Sequence, residues 1–91
     1  AANLAIDREG NVYFTETKTH KIMKMAPDGS LSVFRDNSNA ANGLVFDLQW
    51  RLIACEGNQA NPRVTRTDVR TGRVAQAIDR AAVTRVVRGR L

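Results

Sequence analysis

The feature that most constrains what this chain can fold into is an internal repeat of about forty residues. Leu4-Ala5-Ile6-Asp7 matches Leu44-Val45-Phe46-Asp47, and Val12-Tyr13-Phe14-Thr15-Glu16 matches Leu52-Ile53-Ala54-Cys55-Glu56, both at an offset of 40. Lys21-Ile22-Met23-Lys24-Met25 then matches Arg63-Val64-Thr65-Arg66-Thr67 at an offset of 42, and Gly29-Ser30-Leu31 matches Gly72-Arg73-Val74 at 43. The drift puts small insertions in the turns, where they are tolerated. A period in this range marks solenoids, propellers and arrays, in which one repeat cannot bury its own apolar faces and must stack on a neighbour.

The pattern predicts four short strands per copy, near residues 4–7, 11–16, 21–25 and 30–34, then 44–47, 51–56, 63–67 and 73–78. Glu9-Gly10-Asn11 and Pro27-Asp28-Gly29 are turns with a mechanism: Gly supplies positive φ, Pro presets φ, and Asn or Asp bonds its own backbone. Gly57 to Pro62 is a longer loop of the same chemistry. Four strands per forty residues is the signature of a β-propeller blade. The first two strands of each copy are apolar-rich, as inner strands should be, while the third alternates charge with apolar residues (Lys21, Ile22, Lys24; Arg63, Val64, Arg66), as suits a place nearer the rim. An eight-stranded sandwich fits the strand count but leaves the likeness of the two halves unexplained. The expected fold is therefore all-β, with one blade at 1–42, a second at 43–80 and a divergent basic tail at 81–91.

A chain of 91 residues buries only about 60% of its unfolded surface, so a fold with open apolar edges needs a partner or a longer parent. The hydrophobic residues, 43% of the total, are spread along the chain, and no run approaches the roughly 18 needed to cross a bilayer. No membrane partner is expected. The N-terminus has neither the basic nor the long apolar region of a secretory signal, although its abrupt entry into a strand pattern suggests a start inside a longer gene. Lys and Arg number 14 against 9 Asp and Glu, for a net charge of +5. Arg80, Arg85, Arg88 and Arg90 carry most of that excess at and beyond the start of the tail, and no helix-turn-helix pattern, zinc-finger spacing or aromatic platform accompanies it, so no nucleic-acid partner is expected.

The stretch Asn39-Ala40-Ala41-Asn42-Gly43-Leu44-Val45-Phe46-Asp47, followed by Arg51-Leu52-Ile53-Ala54-Cys55-Glu56-Gly57-Asn58 and Arg63-Val64-Thr65-Arg66, resembles the second repeat of gluconolactonases in the senescence marker protein (regucalcin-like) lactonase superfamily. The first copy looks like that family's opening blade, and the likeness covers roughly residues 1 to 80. The resemblance implies a six-bladed propeller that holds one divalent cation, calcium first, at the mouth of its channel and hydrolyses sugar lactones there. It also implies that Asn42, just before the inner strand of the second copy, is the substrate-side asparagine and a candidate metal ligand. An Asn amide both donates to and accepts from sugar hydroxyls, and its carbonyl suits a hard cation. At the matching place before the first inner strand the family carries a metal-binding Glu followed by Gly-Pro; this chain reads Ala2-Asn3-Leu4, so that ligand is lost or replaced by Asn3. The remaining ligands of the family belong to blades not present here. After Asp79-Arg80 the sequence leaves the family pattern, which reads either as an altered frame or gene fragment or as a short strand at 83–87.

Other residues support plainer readings. His20, the single histidine, sits in a polar turn, and no catalytic residue is assigned. Glu16 and Glu56 end matching strands, which tempts a paired-carboxylate reading, yet repeats place such residues on different blades. Asp7 and Asp47 are expected to cap turn amides. Cys55, the single cysteine, is expected to be a buried inert thiol. Trp50 stands where such blades usually have a turn glycine. The expected function is that of a piece of a metal-dependent sugar-lactone hydrolase, inactive alone. The alternatives are a non-enzymatic propeller scaffold or binding module in which three copies close six blades as a homotrimer, and a basic interaction module working through the tail.

Overall fold

The computed structural model describes residues 3–78, and the tail at 81–91 and Ala2 lie outside them. Among the described residues the chain is all-β: β1 (Leu4–Ile6), β2 (Val12–Glu16), β3 (Lys21–Met25), β4 (Leu31–Arg35), β5 (Ala41–Phe46), β6 (Leu52–Glu56), β7 (Arg63–Thr67) and β8 (Val74–Ile78). They form two four-stranded antiparallel meanders in the orders β1-β2-β3-β4 and β5-β6-β7-β8. Seven of the predicted strands fall within a residue or so of their expected places. The fifth starts earlier, at Ala41, because a bulge after Ala41 lets the ladder to β6 continue past Gly43.

Strand alternation divides each sheet into two faces. In the first sheet Ala5, Tyr13 and Ile22 turn toward the second, which answers with Leu44, Leu52 and Ala54; all six are buried. Phe34 and Phe46 meet the Tyr13 ring edge-on, with centroids 5.0 and 5.5 Å away. Burying each of Tyr13, Ile22 and Leu52, which are almost fully enclosed, is worth about 1.5–3 kcal/mol. That shared layer holds the two sheets together.

The β1–β2 and β5–β6 turns are built alike. The Asp7 carboxylate accepts from the amides of Glu9 (3.0 Å) and Asn11 (2.9 Å), and Asp47 accepts from those of Gln49 (3.0 Å) and Arg51 (2.9 Å). The fourth residue of each turn takes a left-handed conformation, Gly10 at φ 86° and Trp50 at φ 61°. A side chain there costs roughly 1–2 kcal/mol. Trp50 offsets that cost through its ring, which leans on Phe46 (5.7 Å) and lies under the Arg8 guanidinium of the neighbouring turn (5.2 Å).

Cys55 corrects the sequence reading: it is exposed. Ala54 points into the layer between the sheets, so alternation turns Cys55 to the far face of the second sheet, beside Val64.

Candidate functional site

The strands run so that the 17–20, 36–40 and 57–62 connections share one end of the two sheets, the end from which β5 starts. Asn42 lies here. It is the bulged residue between the Ala41–Glu56 and Gly43–Cys55 pairs, inside β5 and not before it as the sequence suggested, and it is exposed. A bulge leaves its residue outside the regular ladder and re-aims its side chain.

The approach to Asn42 is conformationally demanding. Asn37, Asn39 and Ala40 all have φ between 53° and 58°; Asn tolerates this region and Ala does so at a cost. Three backbone bonds hold the segment, Ser38 N–H to His20 O (2.6 Å), Gly57 N–H to Ala40 O (3.0 Å) and Asn58 N–H to Asn39 O (3.2 Å), and a bond from Asn61 N–H to Asn58 O (3.0 Å) closes the facing 57–62 loop. Ser38 is buried, and its hydroxyl accepts from the Ala41 amide at 3.3 Å. His20 thus contributes a backbone carbonyl to the segment, with its side chain exposed.

Beneath the segment sits the carboxylate of Glu56, with 0% side-chain exposure. Arg35 of the first sheet donates to Oε2 (2.8 Å), as does the Thr65 hydroxyl (2.6 Å). Arg63 donates to Oε1 (2.6 Å) and so does the Asn39 amide (3.0 Å), whose second bond goes to Asn61 O (3.0 Å). Burial by itself disfavours the charge on Glu56. The four donors, Thr65, Arg63, Arg35 and Asn39, outweigh it, and the pKa falls below its ordinary value. Glu56 is therefore an anion that bolts the two sheets together and pins Asn39. Both its oxygens are committed, which leaves it unsuited to proton transfer. The sequence reading missed this role; the cross-strand position of Arg63 was the available signal, but the arrival of Arg35 from the other sheet was not readable. Glu16, its repeat counterpart, is exposed and accepts only from the local Lys18 amide (3.1 Å).

At the opposite end a cleft of about 610 Å³ opens between the sheets, lined by Arg8, Tyr13, Lys24, Trp50, Arg51 and Asp68 among others. The Tyr13 hydroxyl donates to Asp7 (3.3 Å), and burial together with the Asp7 charge pushes its pKa up to about 12, so the phenol stays protonated. Arg51 is tied to Asp47 (2.8 Å). This cleft shares no residue with the Asn42 end.

Two successive four-stranded meanders packed face to face are blades of a β-propeller-like fold. Among solved structures the chain is similar to a gluconolactonase of Xanthomonas campestris, described as important in glucose secondary metabolic pathways, with a TM-score of 0.73 and 22% identity over 85% of this chain and 25% of that one. At that identity the likeness is one of fold, and this chain spans a quarter of that protein's length. No family model matches the sequence, and no curated protein does.

Proposed function

We propose that the chain is a two-blade part of a sugar-lactone hydrolase and that Asn42 is a substrate-side residue of it. The observation that carries this reading is the position of Asn42: an exposed amide on a bulge, at the loop end of a fold shared with a gluconolactonase. Its carbonyl accepts from, and its NH2 donates to, the hydroxyls of a sugar ring. Glu56 acts only through Asn39, by holding the left-handed segment that precedes β5.

The divalent cation of the lactonase reading, calcium first, does not fit these residues alone. Among the described residues no cluster of three or more His, Cys, Asp or Glu side chains could hold a metal. Asn42 supplies one oxygen where calcium takes six to eight, and Glu56 is saturated by its four donors. A calcium site needs further oxygen ligands, and a single copy of the chain is expected to hydrolyse no lactone.

The test is a titration of the isotope-labelled chain with D-glucono-1,5-lactone, followed by amide chemical shifts. Shifts centred on residues 39–43 and 57–61 that vanish in Asn42→Ala are expected. Shifts that persist in Asn42→Ala, or that cluster at the Tyr13 cleft, would refute the assignment.

A further inference from the structure

The first sheet carries two cross-strand rows of large apolar residues on the face turned away from the second sheet. One row is Leu4, Phe14, Met23 and Val33; the other is Ile6, Val12, Met25 and Leu31. Leu4, Ile6, Met25, Leu31 and Val33 are between 39 and 59% exposed. Eight contiguous apolar side chains are far more than the scattered exposure of a soluble surface.

The repeat says what covers them. Their counterparts in the second sheet are the rows Leu44, Ala54, Thr65, Gln76 and Phe46, Leu52, Thr67, Val74. Those are the rows the second sheet packs onto the first, and Leu44, Leu52, Ala54, Thr65 and Thr67 among them are buried. The surface that covers them is the Ala5, Tyr13 and Ile22 face of the first sheet, and its counterpart on the second sheet presents Val45, Ile53 and Val64 outward, with Cys55 beside them. Among the described residues the two sheets thus carry two complementary outer faces: a copy of the surface the second sheet uses, and a copy of the surface the first sheet uses. Repeating the contact already made inside the chain joins these faces head to tail.

We propose that the occupant of the first sheet's outer face is the Val45–Ile53–Val64 face of a second copy of this chain, and that three copies close a ring of six sheets. A head-to-tail contact leaves no free face only when it closes. Six sheets is the number the gluconolactonase resemblance implies, and that number is the one part of the proposal that leans on it. The face pairing does not depend on lactone binding, which the Asn42 titration reports separately.

Cys55, as the chain's single thiol, reports on the contact because it lies on the face that would be covered. Light scattering and thiol titration with Ellman's reagent on the full 91-residue chain should give a species of three times 10.1 kDa whose Cys55 reacts at least tenfold more slowly than in Ile6→Lys. Ile6 is already half exposed, so Ile6→Lys should keep its β circular-dichroism signal while falling to a single copy with a fast thiol. A wild-type species of one copy with a fast thiol would overturn the proposal. So would an assembly with a fast thiol, which joins by other faces, or one that grows without limit, which does not close.

Discussion

The two repeats are nearly the same backbone put to different use. Asp7 and Asp47 organise the same turn, and Gly10 and Trp50 share its left-handed corner. Glu16 and Glu56 end equivalent strands, yet one lies in solvent and the other is buried and accepts from four side chains. The difference is a neighbour: the second sheet has the first packed on its face and receives Arg35 from it, while the corresponding face of the first sheet is open. Local sequence sets a strand or turn in both copies, and the environment of its side chains depends on what stands next to the sheet.

The strongest way to break this comparison is to remove both carboxylates in turn. Glu56→Ala leaves Arg35 and Arg63 without their anion and should cost about 3–5 kcal/mol in urea unfolding. Glu16→Ala should stay within about 0.5 kcal/mol. Equal effects would mean that Glu56 is not the bolt between the sheets.

Acid should sharpen the same point. The pKa of Glu56 is lowered in the folded chain from an ordinary 4.5, against the push of burial, by the Thr65, Arg63, Arg35 and Asn39 bonds. A lowered carboxylate pKa contributes stability that is fully present above the unfolded value and is lost as pH falls through the folded one. Stability should therefore decline below about pH 4.5, and the decline should be shallower in Glu56→Gln, read from urea midpoints between pH 6 and 2. Asp7, whose pKa is lowered, despite its burial, by bonds from Asn11, Glu9 and Tyr13, contributes in the same direction, and Glu56→Gln leaves that part in place.

The smallest effect concerns the paired turn corners. Gly10→Ala puts a methyl group at φ 86° and should cost about 1 kcal/mol. Trp50 tolerates the same region only through Phe46 and Arg8, so Arg8→Ala should weaken the second sheet's turn by up to about 1 kcal/mol although Arg8 belongs to the first. Thermal unfolding of the two variants measures both, and no loss in Arg8→Ala would show that the cation above the ring does not support the corner.

Much of the fold was legible in the sequence because its signals are local. Asp7 and Asp47 reveal the turns through hydrogen bonds two and four residues away, and the alternation of Tyr13 with Phe14 or Ala54 with Cys55 marks two faces. The candidate site was legible only in part. Asn42 could be picked out from its motif, but the bulge that holds it inside β5 depends on how β6 pairs. Cys55 was misread because an apolar strand does not say which of its faces is covered.

The sequence by itself determined that the chain is all-β, that it contains two like units of four strands, and that its turns rest on Asp and Gly, since each of these follows from period, alternation or a contact within a few residues. Only the tertiary structure decided that Glu56 is a buried ionic bolt, that Asn42 is a bulge and that the first sheet's outer face is left open. Those properties arise where sheets meet, between residues such as Arg35 and Glu56 that are distant in sequence, and burial at such a meeting is a property of the pair of surfaces.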